Sequence, residues 1–231
     1  MYVKRLNKPL FLCYNVNGDF MNYQKELDKI IDSLNGKKKR LLLHVCCGPC
    51  SSYVMEYLNK YFDITLYYYN PNIDTKEEFD KRTGEVNRLV KEADFAKGVE
   101  IIVAPYEKEL FDELSKGLEK EKEGGARCKK CYYLRLKKSC EYAKENNFDY
   151  FTTTLTISPY KDAEALNTIG KKLEEEYGVK YLYSDFKKKN GYKRSIELSK
   201  IYDLYRQDYC GCIYSKKERE EYVKSKEDYY G

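Results

Sequence analysis

No stretch of this chain approaches the roughly 18 consecutive apolar residues that a membrane-spanning helix needs, so a membrane partner is not expected. The first twenty residues carry a short apolar patch but no sustained signal-peptide core, and a cytoplasmic protein is the expectation. Tryptophan is absent and histidine occurs once, at His44, so any large ring that stacks on a ligand must come from the 26 tyrosines or nine phenylalanines. No internal repeat is visible, which excludes solenoids and propellers. A glycine-rich phosphate loop of the SGGxDS kind is also missing. The position where it would follow the first strand reads Cys46-Cys47-Gly48-Pro49-Cys50-Ser51-Ser52, without adjacent glycines or an acidic residue, and this counts against ATP use.

What the chain has in excess is cysteine. Nine thiols in 231 residues, in a reducing compartment, argue against a disulfide framework and for metal or redox chemistry. Length favours one main domain, and a net charge of +5 is compatible with a nucleic-acid substrate without singling one out.

Residues 1–39 read as a helical lead-in, with a helix at Asn22–Leu34 that ends at Asn35-Gly36. Strands are predicted at Leu41–Val45, Ile64–Tyr69, Val99–Tyr106, Tyr150–Ser158 and Val179–Phe186. Helices are predicted at 51–59, 76–96, 108–118, 128–146, 163–177 and 196–205, with a C-terminal helix within the 216–231 tail. Regular alternation of strand and helix across residues 40–215 predicts an α/β domain: a five-stranded, parallel, doubly wound sheet with helices on both faces. Ligands in such folds bind beyond the carboxyl ends of the strands, at the switch point. Cys46 and Cys47 end the first strand; Thr153, Thr154 and Ser158 lie at or just past the end of the fourth.

The cysteines fall into three groups: Cys46-Cys47-x-x-Cys50, Cys128-x-x-Cys131 and Cys210-Gly211-Cys212. Cys128 and Cys131 open a helix behind Gly124-Gly125, where backbone amides favour thiolates. Two pairs, Cys46/Cys47 and Cys128/Cys131, supply the four thiolates of a [4Fe–4S] cluster or of one tetrahedral zinc. Adjacent cysteines are expected to splay apart, which suits a large cluster better than one small ion. Cys50 is a candidate fifth ligand, or a ligand to a second metal. Cys210 and Cys212, one glycine apart, can form a small strained disulfide suited to a two-electron relay. Cys13 and Cys140 are expected to have no chemical role.

Among other polar groups, His44 reads as a core histidine or one that hydrogen-bonds toward a cluster sulfur. Ser158 and Lys161, with Thr153 and Thr154, are candidates for anion or ribose binding at a helix start, or for capping alone. The basic turn Lys187–Ser195, with Arg194, could track phosphates or be a solvated surface.

The segments LLLHVCCGPCS, YYNPNI, EGGARCKKC, FTTTLTISPYK, DFKKKNGYKRSIELSK and YRQDYCGC together resemble the QueH family of epoxyqueuosine reductases, over about residues 40–215. The resemblance implies a nucleotide-hydrolase-like, Rossmann-like domain that removes the epoxide oxygen of epoxyqueuosine at the wobble position of transfer RNA. RNA rather than DNA is then the partner, together with an unidentified electron donor. It further implies a [4Fe–4S] cluster on Cys46, Cys47, Cys128 and Cys131, a second mononuclear iron near Cys50, and a redox-active pair at Cys210 and Cys212. A transfer-RNA sulfur-transfer or nucleotide-activating enzyme of similar fold, and a non-catalytic zinc-stapled RNA-binding module, are the alternatives.

Overall fold

Five consecutive residues, Leu41 to Val45, are completely buried. A strand apolar on both of its faces must be covered on both, and so belongs at the centre of a parallel sheet. The computed structural model, which describes residues 21–230 with side chains through 227, has that form. The elements are α1 (Tyr23–Ser33), β1 (Lys39–Val45), α2 (Gly48–Leu58), β2 (Phe62–Tyr68), α3 (Lys76–Glu92), β3 (Glu100–Val103), α4 (Lys108–Ser115), α5 (Ala126–Glu145), β4 (Tyr150–Thr153), α6 (Ala163–Tyr177), β5 (Lys180–Tyr181), α7 (Gly191–Ile201) and α8 (Ile213–Tyr230). All strand pairs are parallel, in the order β3-β2-β1-β4-β5. The chain reverses its direction of winding between β1 and β4, and that is the switch point.

Alternation along β1 builds two cores. Leu41, Leu43 and Val45 pack with Val54, Met55 and Leu58 of α2 and with Phe79 and Val86 of α3. Leu42 points the other way, into Tyr132, Leu136 and Cys140 of α5 and Leu166 and Leu173 of α6. Each fully buried leucine contributes about 1.5–3 kcal/mol of burial, so this strand anchors both layers and fixes where its C-terminal end emerges.

The element boundaries differ from the sequence expectation in informative places. The fourth strand stops at Thr153, and residues Thr154–Ile157 form a 3-10 turn instead of continuing to Ser158. Thr153 causes the break: its hydroxyl accepts the N–H of Leu155 at 3.1 Å and caps the turn. The fifth strand shrinks to two residues, because β4 offers it only Tyr150 and Phe151 as partners. Beyond that point Ser184 is held by Asn167, whose Oδ1 accepts the Ser184 N–H at 2.9 Å. The seventh helix starts at Gly191, five residues earlier than expected. A Cβ on Gly191 would lie 2.0 Å from the Phe186 carbonyl oxygen and 2.3 Å from the Tyr53 ring, so only glycine fits there. Helix α6 agrees with expectation at both ends: Asp162 caps its start, and Gly178, at φ 79°, closes it. The part of the lead-in before residue 21, including Cys13, lies outside the described residues.

Candidate metal centre

At Val45 the chain leaves the sheet and turns at once into α2. Cys47 is the N-cap of α2, with a fully extended backbone (φ −168°, ψ 163°), and Cys50 sits in the first helical turn. The reversal between an extended Cys47 and the helix folds the side chains together. The sulfurs of Cys46, Cys47 and Cys50 all lie within 4.8 Å of one another. Cys46 Sγ and Cys47 Sγ are 3.7 Å apart, so the expected splaying of adjacent cysteines does not occur. Three soft donors at this spacing could hold a metal ion.

The three thiols are hydrogen-bonded to one another, which sets their acidities apart. Hydrogen bonding from Cys47 and Cys50, with the nearby Arg135 guanidinium, holds the Cys46 thiol well below its usual range. The same contacts, seen from the donating side, push Cys47 up to about 12 and Cys50 up as well. A cation entering here would displace the protons that the thiols still carry.

The second thiol group forms at the start of α5. Gly124, at φ 89°, turns the chain so that its N–H donates to Cys128 Sγ at 3.3 Å. Cys131, one turn on, is buried with Phe111 of α4 and with Cys212. Burial raises the Cys128 and Cys131 thiols, the latter to about 12, and the charges of Cys210 and Cys212 add to the effect. Cys128 and Cys131 therefore neighbour the Cys210-Gly211-Cys212 segment, while Cys50 joins Cys46 and Cys47. All eight described cysteines are free thiols.

Arg135 stands between the two groups. Its Nη2 donates to Asn70 Oδ1 at 2.6 Å, and its Nε lies 3.4 Å from His44 Nε2. Burial works against its charge, but Cys131, to which it also hydrogen-bonds, together with Cys46 and Cys210 outweighs that and raises its pKa. Sequence reasoning passed over this residue. The signal was there: Arg135 follows Cys131 by four positions, which puts both on one face of α5.

A cavity of about 850 Å³ opens over the site, of a size that admits a nucleoside. Cys46, Cys47, Cys50, Cys210 and Arg135 line it, with Ser158, Lys161 and Glu123 on one wall and Tyr192, Arg206 and Tyr209 on another. Lys161 is buried and ion-paired with Glu123. Burial opposes its charge, but Cys210, Tyr132 and Glu123 outweigh that and hold it protonated. Tyr160 lines the cavity while leaving 76% of its surface exposed.

His44, Thr153 and Thr154 lie beneath this floor and are fully buried. His44 Nδ1 meets Thr153 Oγ1 at 2.8 Å, and Nε2 faces the Tyr69 carbonyl at 3.0 Å. Both ring nitrogens are thus taken by protein partners, and neither is free to donate to a sulfur. Burial, then the Arg135 charge, lowers its pKa to about 3 and keeps the ring neutral. Thr154 Oγ1 is 4.0 Å from Cys46 Sγ. The basic turn is largely neutralised: Arg194 is bidentate to Glu56 (2.6 and 3.0 Å), and Lys189 pairs with Asp28 at 2.7 Å. Arg194 is not part of the cavity lining. Cys140 is a core residue of the α5–α6 packing.

Comparison with known proteins identifies a family over this region. A family model described as epoxyqueuosine reductase QueH matches residues 41–218, which span every thiol group named above. The QueH of Streptococcus pyogenes serotype M1 is 42% identical over 201 residues, covering 85% of this chain and 79% of that one. The QueH of Staphylococcus epidermidis is also 42% identical, covering 84% of both chains. The QueH of Thermotoga maritima is 32% identical over 184 residues, covering 78% of this chain and 92% of its own. Among the described residues no helix is long and apolar enough to cross a membrane. A match this long, to a family of oxidoreductases and over a cavity floored by clustered thiols, means that the chain belongs to the QueH family of epoxyqueuosine reductases.

Proposed function

We propose that the thiol-floored cavity binds epoxyqueuosine at the wobble position of a cytoplasmic transfer RNA and converts it to queuosine. The observation that carries this reading is the meeting of Cys46, Cys47 and Cys50 at the floor of a nucleoside-sized cavity in a chain of this family. The reaction opens the epoxide, takes up two electrons and two protons, and yields an alkene and water. Cys46, Cys47, Cys128 and Cys131 hold a [4Fe–4S] cluster, and Cys50 is the ligand for a second, mononuclear iron. The donor chemistry supports this: all are thiols, Cys46, Cys47 and Cys50 lie within mutual reach, Cys131 packs in a second group beside Cys212, and buried Arg135 can balance anionic charge. The metal centre, when bound, supplies the electrons one at a time and a Lewis acid for the epoxide oxygen.

The remaining tasks belong to the chain. Ser158 and Lys161 present an O–H and a charged N–H to the ring hydroxyls and the departing oxygen. Glu123, ion-paired with Lys161, orients it. Thr153 and Thr154 hold the floor from beneath. Tyr160, exposed at the cavity edge, stacks on a neighbouring anticodon-loop base, which costs little to expose because it is already unpaired. Arg206, whose partners among the described residues are the Ser199 and Tyr192 hydroxyls, is the cation at this rim best able to take a phosphate. Arg194 would do so only by releasing Glu56. Cys210 and Cys212 exchange two electrons with the donor as a dithiol and disulfide.

The test is anaerobic reconstitution with iron and sulfide, then incubation with reductant and transfer RNA carrying epoxyqueuosine. Nucleoside mass spectrometry should record loss of one oxygen atom. A colourless, zinc-containing protein that leaves the nucleoside intact would overturn the reading.

A further inference from the structure

Three arginines rank among the largest fully buried side chains: Arg82, Arg127 and Arg135. Arg82 has Glu78 at 2.6 Å, and Arg127 has Glu218 at 3.5 Å. Arg135 pairs with no carboxylate among the described residues; its partners there are the neutral Asn70 and His44 and the Cys131 thiol. A buried guanidinium without counter-charge costs several kcal/mol, which no native fold of marginal stability carries idly. Its counter-charge must come from sulfur: Arg135 lines the same cavity as Cys46, Cys47, Cys50 and Cys210 and hydrogen-bonds Cys131 on its own helix.

Position strengthens the case. Asn70 Oδ1 accepts from Arg135, while Asn70 Nδ2 donates to the carbonyl of Val45 at 2.9 Å, the residue just before Cys46. The guanidinium is thereby registered to the strand end that carries one thiol group. Through its own helix, one turn on from Cys131, it is registered to the other. A flexible lysine could not be fixed this way, since it lacks the planar fork that Asn70 grips.

We infer that Arg135 is the fixed counter-charge of the metal–thiolate centre, a positioning residue that sets how readily the centre accepts an electron. The inference rests on the proposed iron–sulfur reading. A permanent positive charge against a centre that becomes more negative on reduction favours the reduced form, so its removal moves the potential down.

The experiment compares wild type, Arg135→Gln and Arg135→Lys after anaerobic reconstitution. Iron and sulfide content are measured, and the reduction potential is followed by bleaching of the visible absorption. Arg135→Gln should load and shift to a more negative potential, with Arg135→Lys closer to wild type. Loading of Arg135→Lys but not Arg135→Gln would also support the inference, since lysine alone keeps the positive charge there. Equal potentials at equal loading would overturn it, and so would loss of loading in both variants, which would mark the residue as a matter of shape. Failure of the wild-type protein itself to take up iron would instead sink the iron–sulfur reading, and this inference with it.

Discussion

His44 and Thr153 stand opposite each other in register on β1 and β4, 109 residues apart, and their side chains hydrogen-bond at 2.8 Å. His44 Nε2 faces both the Tyr69 carbonyl at 3.0 Å and the Arg135 Nε–H at 3.4 Å. Thr153 Oγ1 in turn accepts from Leu155 N–H and starts the turn leading to Ser158 and Lys161. One buried chain of bonds therefore joins the strand that ends in the thiols to the wall that faces them. Thr153→Val keeps the shape and removes both bonds. It is expected to cost about 1–3 kcal/mol, read as a lower denaturation midpoint, because a buried Nδ1 is left without its partner. An unchanged midpoint would mean that the network is dispensable.

Metal content should separate the roles of the cysteines. Cys128→Ala, leaving three thiolates for four corners, is expected to lose iron, sulfide and activity together. Cys50→Ala should keep its sulfide while losing part of its iron. Full iron content in Cys128→Ala would remove that residue from the ligand set.

Cys210→Ser should retain the metal centre but slow turnover with a physiological donor. Gly211 offers an independent probe of the same segment. Its φ of 118° and the 2.9 Å from a would-be Cβ to Arg82 Nη1 leave no room for a side chain. Gly211→Ala should therefore reproduce the slow turnover with both thiols still present. Turnover equal to wild type in both variants would mean that the pair takes no part.

Tyr160→Ala is expected to weaken binding of the substrate transfer RNA by about 1–3 kcal/mol, the usual worth of one stacked base. That is roughly 5- to 150-fold in affinity. Lys189→Ala, which removes a side chain already paired with Asp28, should change affinity little. A direct binding titration decides between them, and the opposite ranking would relocate the RNA to the basic turn.

Glu85 ties α3 to the segment that precedes Cys210, accepting the Tyr205 N–H at 2.7 Å and pairing with Arg88 at 2.8 Å. Burial pushes its carboxyl up, but Arg88 and the Tyr205 amide outweigh that and hold it below 4.5. A carboxylate with a depressed folded-state pKa contributes stability above its unfolded value. It loses that contribution as pH falls through the folded one. Wild-type stability should thus fall more steeply than that of Glu85→Gln as pH drops below about 4.5. Parallel curves of denaturation midpoint against pH would refute this.

How far the primary structure reached is clearest in particular elements. The apolar run Leu41–Val45 was legible because a strand buried on both faces needs no polar alternation. Helix α6 was legible at both ends because Asp162 and Gly178 satisfy its termini locally. The thiols were legible as metal donors because their spacing along the chain is itself chemical information. By contrast, the length of β4 was hidden by its β-branched residues, whose strand preference yields to a hydroxyl cap at Thr153. The joining of Cys50 to Cys46 and Cys47 depended on the backbone reversal at Cys47.

By itself, then, the sequence determined the alternation of strands and helices, the central buried strand and the inventory of sulfur donors, since each is written in local periodicity or residue type. Tertiary structure alone decided which thiols neighbour one another, that Arg135 lies among them without an acid, and that the basic turn is neutralised. Those outcomes rest on pairs far apart in the chain, Arg135 with Asn70, Arg194 with Glu56 and Lys189 with Asp28. Electrostatic contact depends on distance through space, and only packing of the two layers sets that distance.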